Sequence, residues 1–278
     1  MPFKPKTKEQ LKKAIEEYCE NDDKSKGNIN DWDVSLITDM SKLFYCCYHS
    51  NCNKKIHYFD QSINNWNVSN VINMSEMFYC CHVFNQPLNN WNVSNVTSMN
   101  YMFCHCKKFN QPINNWNVSN VTDMNCMFGN CYVFNQSINN WNVSKVKDMS
   151  YMFHGCEKFN QPINNWNVLN VTNMSFMFYW CKEFNQPMNN WNISNITIMN
   201  SMFANCKKLN KTHKEQFYMK NIEKKNKYVL DELSKDMSII KIYYMIKDKE
   251  FIMNNINDNK KNEIQNFIKN KTEDICEL

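Results

Sequence analysis

The side chains of this sequence best suited to chemistry are its sulfurs and imidazoles. The 278 residues include 14 Cys and 6 His. Cys46, Cys80 and His105 each stand one position before a recurring Cys, and Cys104 and His82 flank them. His49, Cys52 and His57 add the same chemistry between Tyr48 and Phe59. Mixed Cys/His ligand sets hold structural zinc, so Cys46, Cys80, His105 and Cys52 form a candidate metal cluster. Their spacing matches no standard finger, and Cys is frequent throughout. The competing reading is a partly buried thiol-rich patch, so no metal or other cofactor is firmly assigned. The histidines recur in no fixed column with a nucleophile and an acidic orienter, so no catalytic residue is assigned and no enzyme is expected. With only three glycines, none near another, neither a P-loop nor a dinucleotide fingerprint can be written.

The elements that must position these groups are repeats. Trp66, Trp91, Trp116, Trp141, Trp166 and Trp191 are 25 residues apart, and Trp32 precedes them by one period plus nine residues. Val118 and Val121, Met124, the Met127-Phe128 pair, Cys131 and Phe134 belong to columns that keep the same period. One copy cannot shield so many apolar side chains, whereas stacked copies share one core. Trp-Asn-Val-Ser alternates as a short strand does, and Asp123–Phe128 carries apolar residues three and four apart, as helical turns do. The expectation is an α/β repeat solenoid of seven coils, each with a short parallel strand and a short helical segment. The Trp, Met and Cys columns are read as core. Asp39, Asp123 and Asp148 are read as caps of the helical segments.

Phe109-Asn110-Gln111-Pro112-Ile113-Asn114-Asn115-Trp116-Asn117-Val118-Ser119-Asn120-Val121-Thr122-Asp123-Met124 resembles the 25-residue repeat of mycoplasma surface lipoproteins. That repeat is related to BspA-like leucine-rich repeats and also occurs in large DNA viruses and protists. The resemblance covers residues 28–209 and implies a leucine-rich-repeat-like fold. It also implies a surface or particle-displayed adhesin as one possible role. Val121 and its equivalents stand near the ladder asparagine of leucine-rich repeats.

Three segments follow. Residues 1–27 form an N-terminal helical cap, with Thr7-Lys8-Glu9-Gln10 as a capping box and Leu11, Ala14, Ile15 and Tyr18 on one face. Residues 28–209 hold the seven copies, with a nine-residue insertion near 49–58. Residues 210–278 are Lys-rich and read as mostly helical, capping the other end. No apolar run is long enough to span a membrane, and the start lacks a signal-peptide core. The expected location is cytoplasmic or intracellular, or a host cell or virion if the source is viral, with the thiols reduced. The net charge is +5, but residues 28–206 carry as many acids as lysines, which argues against nucleic acid. The absence of Arg and the abundance of Lys, Asn and Ile match an AT-rich genome.

These features point to a non-catalytic protein–protein interaction scaffold with an unknown protein partner. The alternatives are the adhesin and a metal-binding protein or enzyme using the Cys/His cluster. Asn115, Asn117 and Ser119 and their equivalents are expected to carpet a concave face almost unchanged from copy to copy. The varied aromatics Tyr101, Tyr151, Phe176, Tyr179 and Trp180 are expected on a convex side and are the candidate partner anchors.

Overall fold

In the computed structural model the described residues are 1–46, 54–214 and 217. One α-helix, α1 (Lys8–Asn21), precedes the repeats. Thr7 accepts the Gln10 N–H at its start, and Asp22, left-handed at φ 52, ends it. Leu11, Ala14 and Ile15 are its buried face, while Phe3 and Tyr18 set their ring edges against Trp32 at 5.0 and 5.8 Å. The first Trp has no preceding copy, and these two rings cover it instead. The stretch 210–278, expected to be helical, lies outside the described residues beyond Lys214 apart from Phe217. Phe217 is buried with its ring edge toward Trp191 and Phe203.

The repeats do not form the expected α/β solenoid of strands and helical segments. Among the described residues helix accounts for 13% and strand for 3%, and there is no sheet. Each copy is instead a relay of tight turns closed by N–H to carbonyl bonds three residues back. In the fourth copy these bonds run from Trp116 to Ile113, Val121 to Val118, Met127 to Met124, Gly129 to Cys126, Cys131 to Phe128 and Phe134 to Cys131. Cys126 (φ 52) and Asn130 (φ 58) are left-handed, which no α-helix tolerates in its interior. The three- and four-residue spacing of Met124, Met127 and Phe128 is met by consecutive turns. The Trp-Asn-Val-Ser segment also bends, because Asn117 Oδ1 accepts the Ser119 N–H at 3.1 Å.

Copies are joined through the N–H groups that the turns leave over. Met124, Cys126, Phe128 and Asn130 donate to Asp148, Ser150, Met152 and His154 of the next copy. Thr122 donates the other way, to Thr97. Only one residue per copy is extended enough to bridge in parallel, along the series Asp39, Asn73, Ser98, Asp123, Asp148, Asn173 and Ile198. Side chains repeat the pattern. Trp141 Nε1 donates to Ile113 O at 3.1 Å, and every Trp from 66 to 191 makes the equivalent bond. Trp32 uses Lys26 O. Cys131 Sγ donates to Phe103 O at 3.0 Å, as do its column equivalents from Cys81 to Cys206. Asn110 Oδ1 accepts the Asn135 N–H at 2.9 Å, one rung of an asparagine ladder continuing through Asn160 and Asn185. This ladder sits one residue after the Phe column, not near Val121.

Two left-handed non-Gly residues cost about 2–4 kcal/mol per copy. Some eight buried large apolar side chains return about 1.5–3 kcal/mol each, so burial wins. Ring spacing also differs between the two sides. Equivalent rings are 6.4 Å apart at Trp91–Trp116 and 6.1 Å at Phe84–Phe109, but 5.1 Å at Tyr45–Tyr79 and 4.8 Å at Tyr151–Phe176. The side with the parallel bridges is here called inner, and the Trp side with Asn117 and Ser119 outer. The parallel bridges thus run beside the varied aromatics and not through the Trp-Asn-Val-Ser segment expected to carry them.

Two outcomes follow. Trp141→Phe keeps a ring but strips Ile113 O of its donor, and should cost about 2–4 kcal/mol in urea unfolding. Exposed Asn142→Ala should stay within about 0.5 kcal/mol. At the N-terminus, the hydrogen bond from Lys4 (2.7 Å), aided by Ser35, lowers Asp33 to about 2. A depressed carboxylate contributes above its unfolded value near 3.8 and loses that contribution as pH falls toward 2. Asp33→Asn should flatten this acid limb in thermal melts, modestly because the pair is largely solvated.

Candidate functional site

The described members of the Cys/His cluster do not converge on a common point. Cys46 is disulfide-bonded, so it is not the reduced thiol expected, and its Sγ lies 2.9 Å from His57 Nε2. His57 Nδ1 is 3.0 Å from Cys80 O, and His82 Nδ1 is 2.9 Å from His105 O. The imidazoles thus serve backbone carbonyls and stack on one another at 5.2 Å for His57 and His82. Cys80 is fully buried. Among the described residues no three His, Cys, Asp or Glu side chains converge on a point where an ion would sit. His49 and Cys52 lie outside the described residues.

The acidic column caps turns and not helices. Asp123 Oδ1 accepts the Asn125 N–H and Asp148 Oδ1 the Ser150 N–H, at 2.9 and 2.7 Å. Burial raises Asp123, against the bond from Asn125, with neighbouring Asp148 adding to the rise. At Asp39 burial also pushes upward, but bonds from Lys8 and Ser41 outweigh it and the carboxyl is lowered.

The varied positions fall on the bridged, inner face, at and around the left-handed rungs. Tyr101, Tyr151 and Phe176 occupy one left-handed column, and His105 and Trp180 the other. Two aromatic clusters result. In the first, Tyr45 stacks on Tyr79, which also meets Tyr101 at 6.3 Å and His105 at 5.8 Å. In the second, Tyr151 stacks on Phe176, and His154 stacks on Tyr179 at 5.2 Å. Trp180 meets Tyr179 at 6.4 Å, is 40% exposed, and has the Lys182 ammonium 5.5 Å from its ring centre. Of the five anchor candidates, Tyr151, Phe176, Tyr179 and Trp180 are thus brought together, and Tyr101 belongs to the other cluster.

Between the clusters the rungs are small. Cys104, Cys126, Gly129 and Asn130 replace rings, and the thiols of Cys104 and Cys126 lie 3.4 Å apart. A Cβ on Gly129 would sit 2.3 Å from Cys126 Sγ, so glycine opens this notch. The sequence signalled the rings through their variation. It gave no sign that Cys104 and Cys126, from different copies and different columns, meet. On the outer face Asn164, Asn165, Trp166, Asn167, Asn190 and Asn192 line a shallow groove of about 470 Å³. The Oδ1 of Asn167 is occupied by the Leu169 N–H.

A family model described as "Mycoplasma protein of unknown function, DUF285" matches residues 11–132, 48–157 and 111–217. No curated protein and no solved structure matches the chain. Among the described residues no helix is long and apolar enough to cross a membrane.

Burial lowers His105 and His154 below the usual imidazole range, and His154 Nδ1 is buried without a hydrogen-bond partner. A depressed imidazole takes up its proton more readily in the unfolded chain, so stability falls as pH drops below about 6.5. His154→Phe keeps the stack on Tyr179 and removes the orphan nitrogen. Thermal melts should show equal or higher stability at pH 7 and a shallower fall toward pH 5.

Proposed function

The chain belongs to the DUF285 family of Mycoplasma proteins of unknown function, so its role has to be argued from its own surface, and we propose that it is a non-catalytic scaffold that binds a protein through its inner aromatic face. The observation that carries this reading is the placement of variation. The first six copies spend the same backbone bonds on stacking, yet the inner rungs change from Lys42 and Glu76 to Tyr101, Tyr151 and Phe176. The outer face repeats Asn and Ser with little change. Specific recognition needs a surface that differs from point to point, and large aromatics are the side chains most often found as binding anchors. Trp180 presents an exposed indole beside half-buried Tyr151 and Tyr179, an arrangement that supplies area at low entropic cost. His57 and His82 turn ring nitrogens to backbone carbonyls, which supports a binding role over acid–base chemistry.

A protein captured with the intact chain and identified by mass spectrometry provides the ligand for calorimetry. Tyr151→Ala, Tyr179→Ala and Trp180→Ala, with circular dichroism as the folding control, should each weaken binding about 30-fold or more, equivalent to about 2 kcal/mol. Asn117→Ala and Asn142→Ala should change it less than about threefold. Loss of affinity in the asparagine variants alone would move the interface to the outer face and overturn this reading.

A further inference from the structure

The notch between the aromatic clusters holds two thiols whose arrangement stacking does not explain. The column thiols from Cys81 to Cys206 each point at a carbonyl of the preceding copy. Cys104 and Cys126 do otherwise. They come from adjacent copies, their sulfurs are 3.4 Å apart, and neither is bonded. Gly129 is what permits this, because any Cβ there would press on Cys126 Sγ at 2.3 Å and Cys104 Sγ at 3.3 Å. The same diagonal between other copies pairs Tyr79 with Tyr101 and leaves their rings 6.3 Å apart. A disulfide needs the sulfurs to close by about 1.4 Å, to roughly 2.05 Å. Cys126 is the more exposed, at 7% against 2% for Cys104. The hydrogen bond with Cys126, and burial, hold the Cys104 thiol well above its ordinary range, and the greater exposure of Cys126 makes it the sulfur a peroxide meets first.

We propose that Cys104 and Cys126 are an oxidisable dithiol, which a hydroperoxide converts to a disulfide that staples the third copy to the fourth. Cys126 sulfur attacks one oxygen of the peroxide and the O–O bond breaks, giving a sulfenic acid, while the thiol proton passes to the departing oxygen, which leaves as the alcohol, or as water from hydrogen peroxide. Cys104 sulfur then displaces the sulfenic hydroxyl, its proton leaving with that hydroxyl as water. Two thiols are oxidised and one peroxide bond is reduced, and a small dithiol reverses the step by exchange. The staple closes a loop of the unfolded chain and fixes the floor between the two aromatic clusters.

The full-length protein is treated with hydrogen peroxide, its remaining thiols are alkylated after unfolding, and its peptides are mapped by mass. The expected product is a Cys104–Cys126 peptide pair two hydrogens lighter than the separate thiols, absent after dithiothreitol. Cys106, Cys131 and Cys156 should remain alkylatable, and the melting midpoint should rise by several degrees and return on reduction. Cys104→Ser should abolish the pair and leave a sulfenic acid on Cys126 that dimedone traps. The proposal is overturned if both thiols stay alkylatable, if either pairs with another Cys, or if Cys126 proceeds to sulfinic acid beside an unchanged Cys104. The wild-type map alone decides the matter if the serine variant fails to fold.

Discussion

Each copy of this chain buries backbone groups that its own turns cannot pair, and the next copy supplies their partners. Helices and sheets solve that problem with long uniform ladders. Here the solution alternates along eight residues. Cys131, Gly129 and Met127 donate three residues back within their copy, while Asn130, Phe128 and Cys126 donate or are aligned to carbonyls one copy on. Side chains fill the remaining vacancies, and their identities follow from that need. The Trp position requires a large apolar body with a single donor at its edge, which only indole offers. The Cys position requires a small hydrophobe with a weak donor aimed at a carbonyl. The asparagine after each Phe must accept from one copy on while packing edge-on in a row. Periodicity in the sequence is the image of this bond accounting.

The same alternation creates the surface. Turning the chain every two or three residues forces left-handed conformations at two positions per copy, and these are held by Lys, Glu, Tyr, Phe, Cys, His, Trp, Ser and Asn, with glycine at Gly155. Such strain persists because the buried columns over-determine it. Apart from buried Cys80 and Cys126, the described side chains at those positions lie outside the buried core, and their types vary. They are also crowded together, since the bridged side has the shorter copy-to-copy distance. Stacked rings and the thiol pair in the notch are both consequences of that shortening.

Much of the packing was legible in the sequence. The buried state of Trp116, Val118, Met124 and Phe134 follows from a fixed period with an invariant apolar type, and α1 follows from its capping residues and one apolar face. The local structure was not legible, for a physical reason. Apolar residues at 124, 127 and 128 satisfy a helical turn and a pair of successive tight turns equally well. The deciding feature is a positive φ at Cys126, and a cysteine, tyrosine or phenylalanine there carries none of the signal that glycine or asparagine would. Which side carries the bridges was hidden for a related reason, since it depends on which single residue per copy is extended. Nor could the sequence show that His57 and His82 turn ring nitrogens to the carbonyls of Cys80 and His105 and not to a shared centre. Cys104 and Cys126 were missed because they belong to different columns, and a column-wise reading compares only equivalent positions.

The central claim concerns which carbonyl each amide addresses, and scalar couplings across hydrogen bonds report that directly in a deuterated, isotope-labelled sample. The account predicts a coupling from the Phe128 amide nitrogen to the Met152 carbonyl carbon and from the Cys131 nitrogen to the Phe128 carbonyl carbon, matching bonds of 2.9 Å in each case. A coupling from the Phe128 nitrogen to the Met124 carbonyl carbon would mean a helical turn, and would contradict the account.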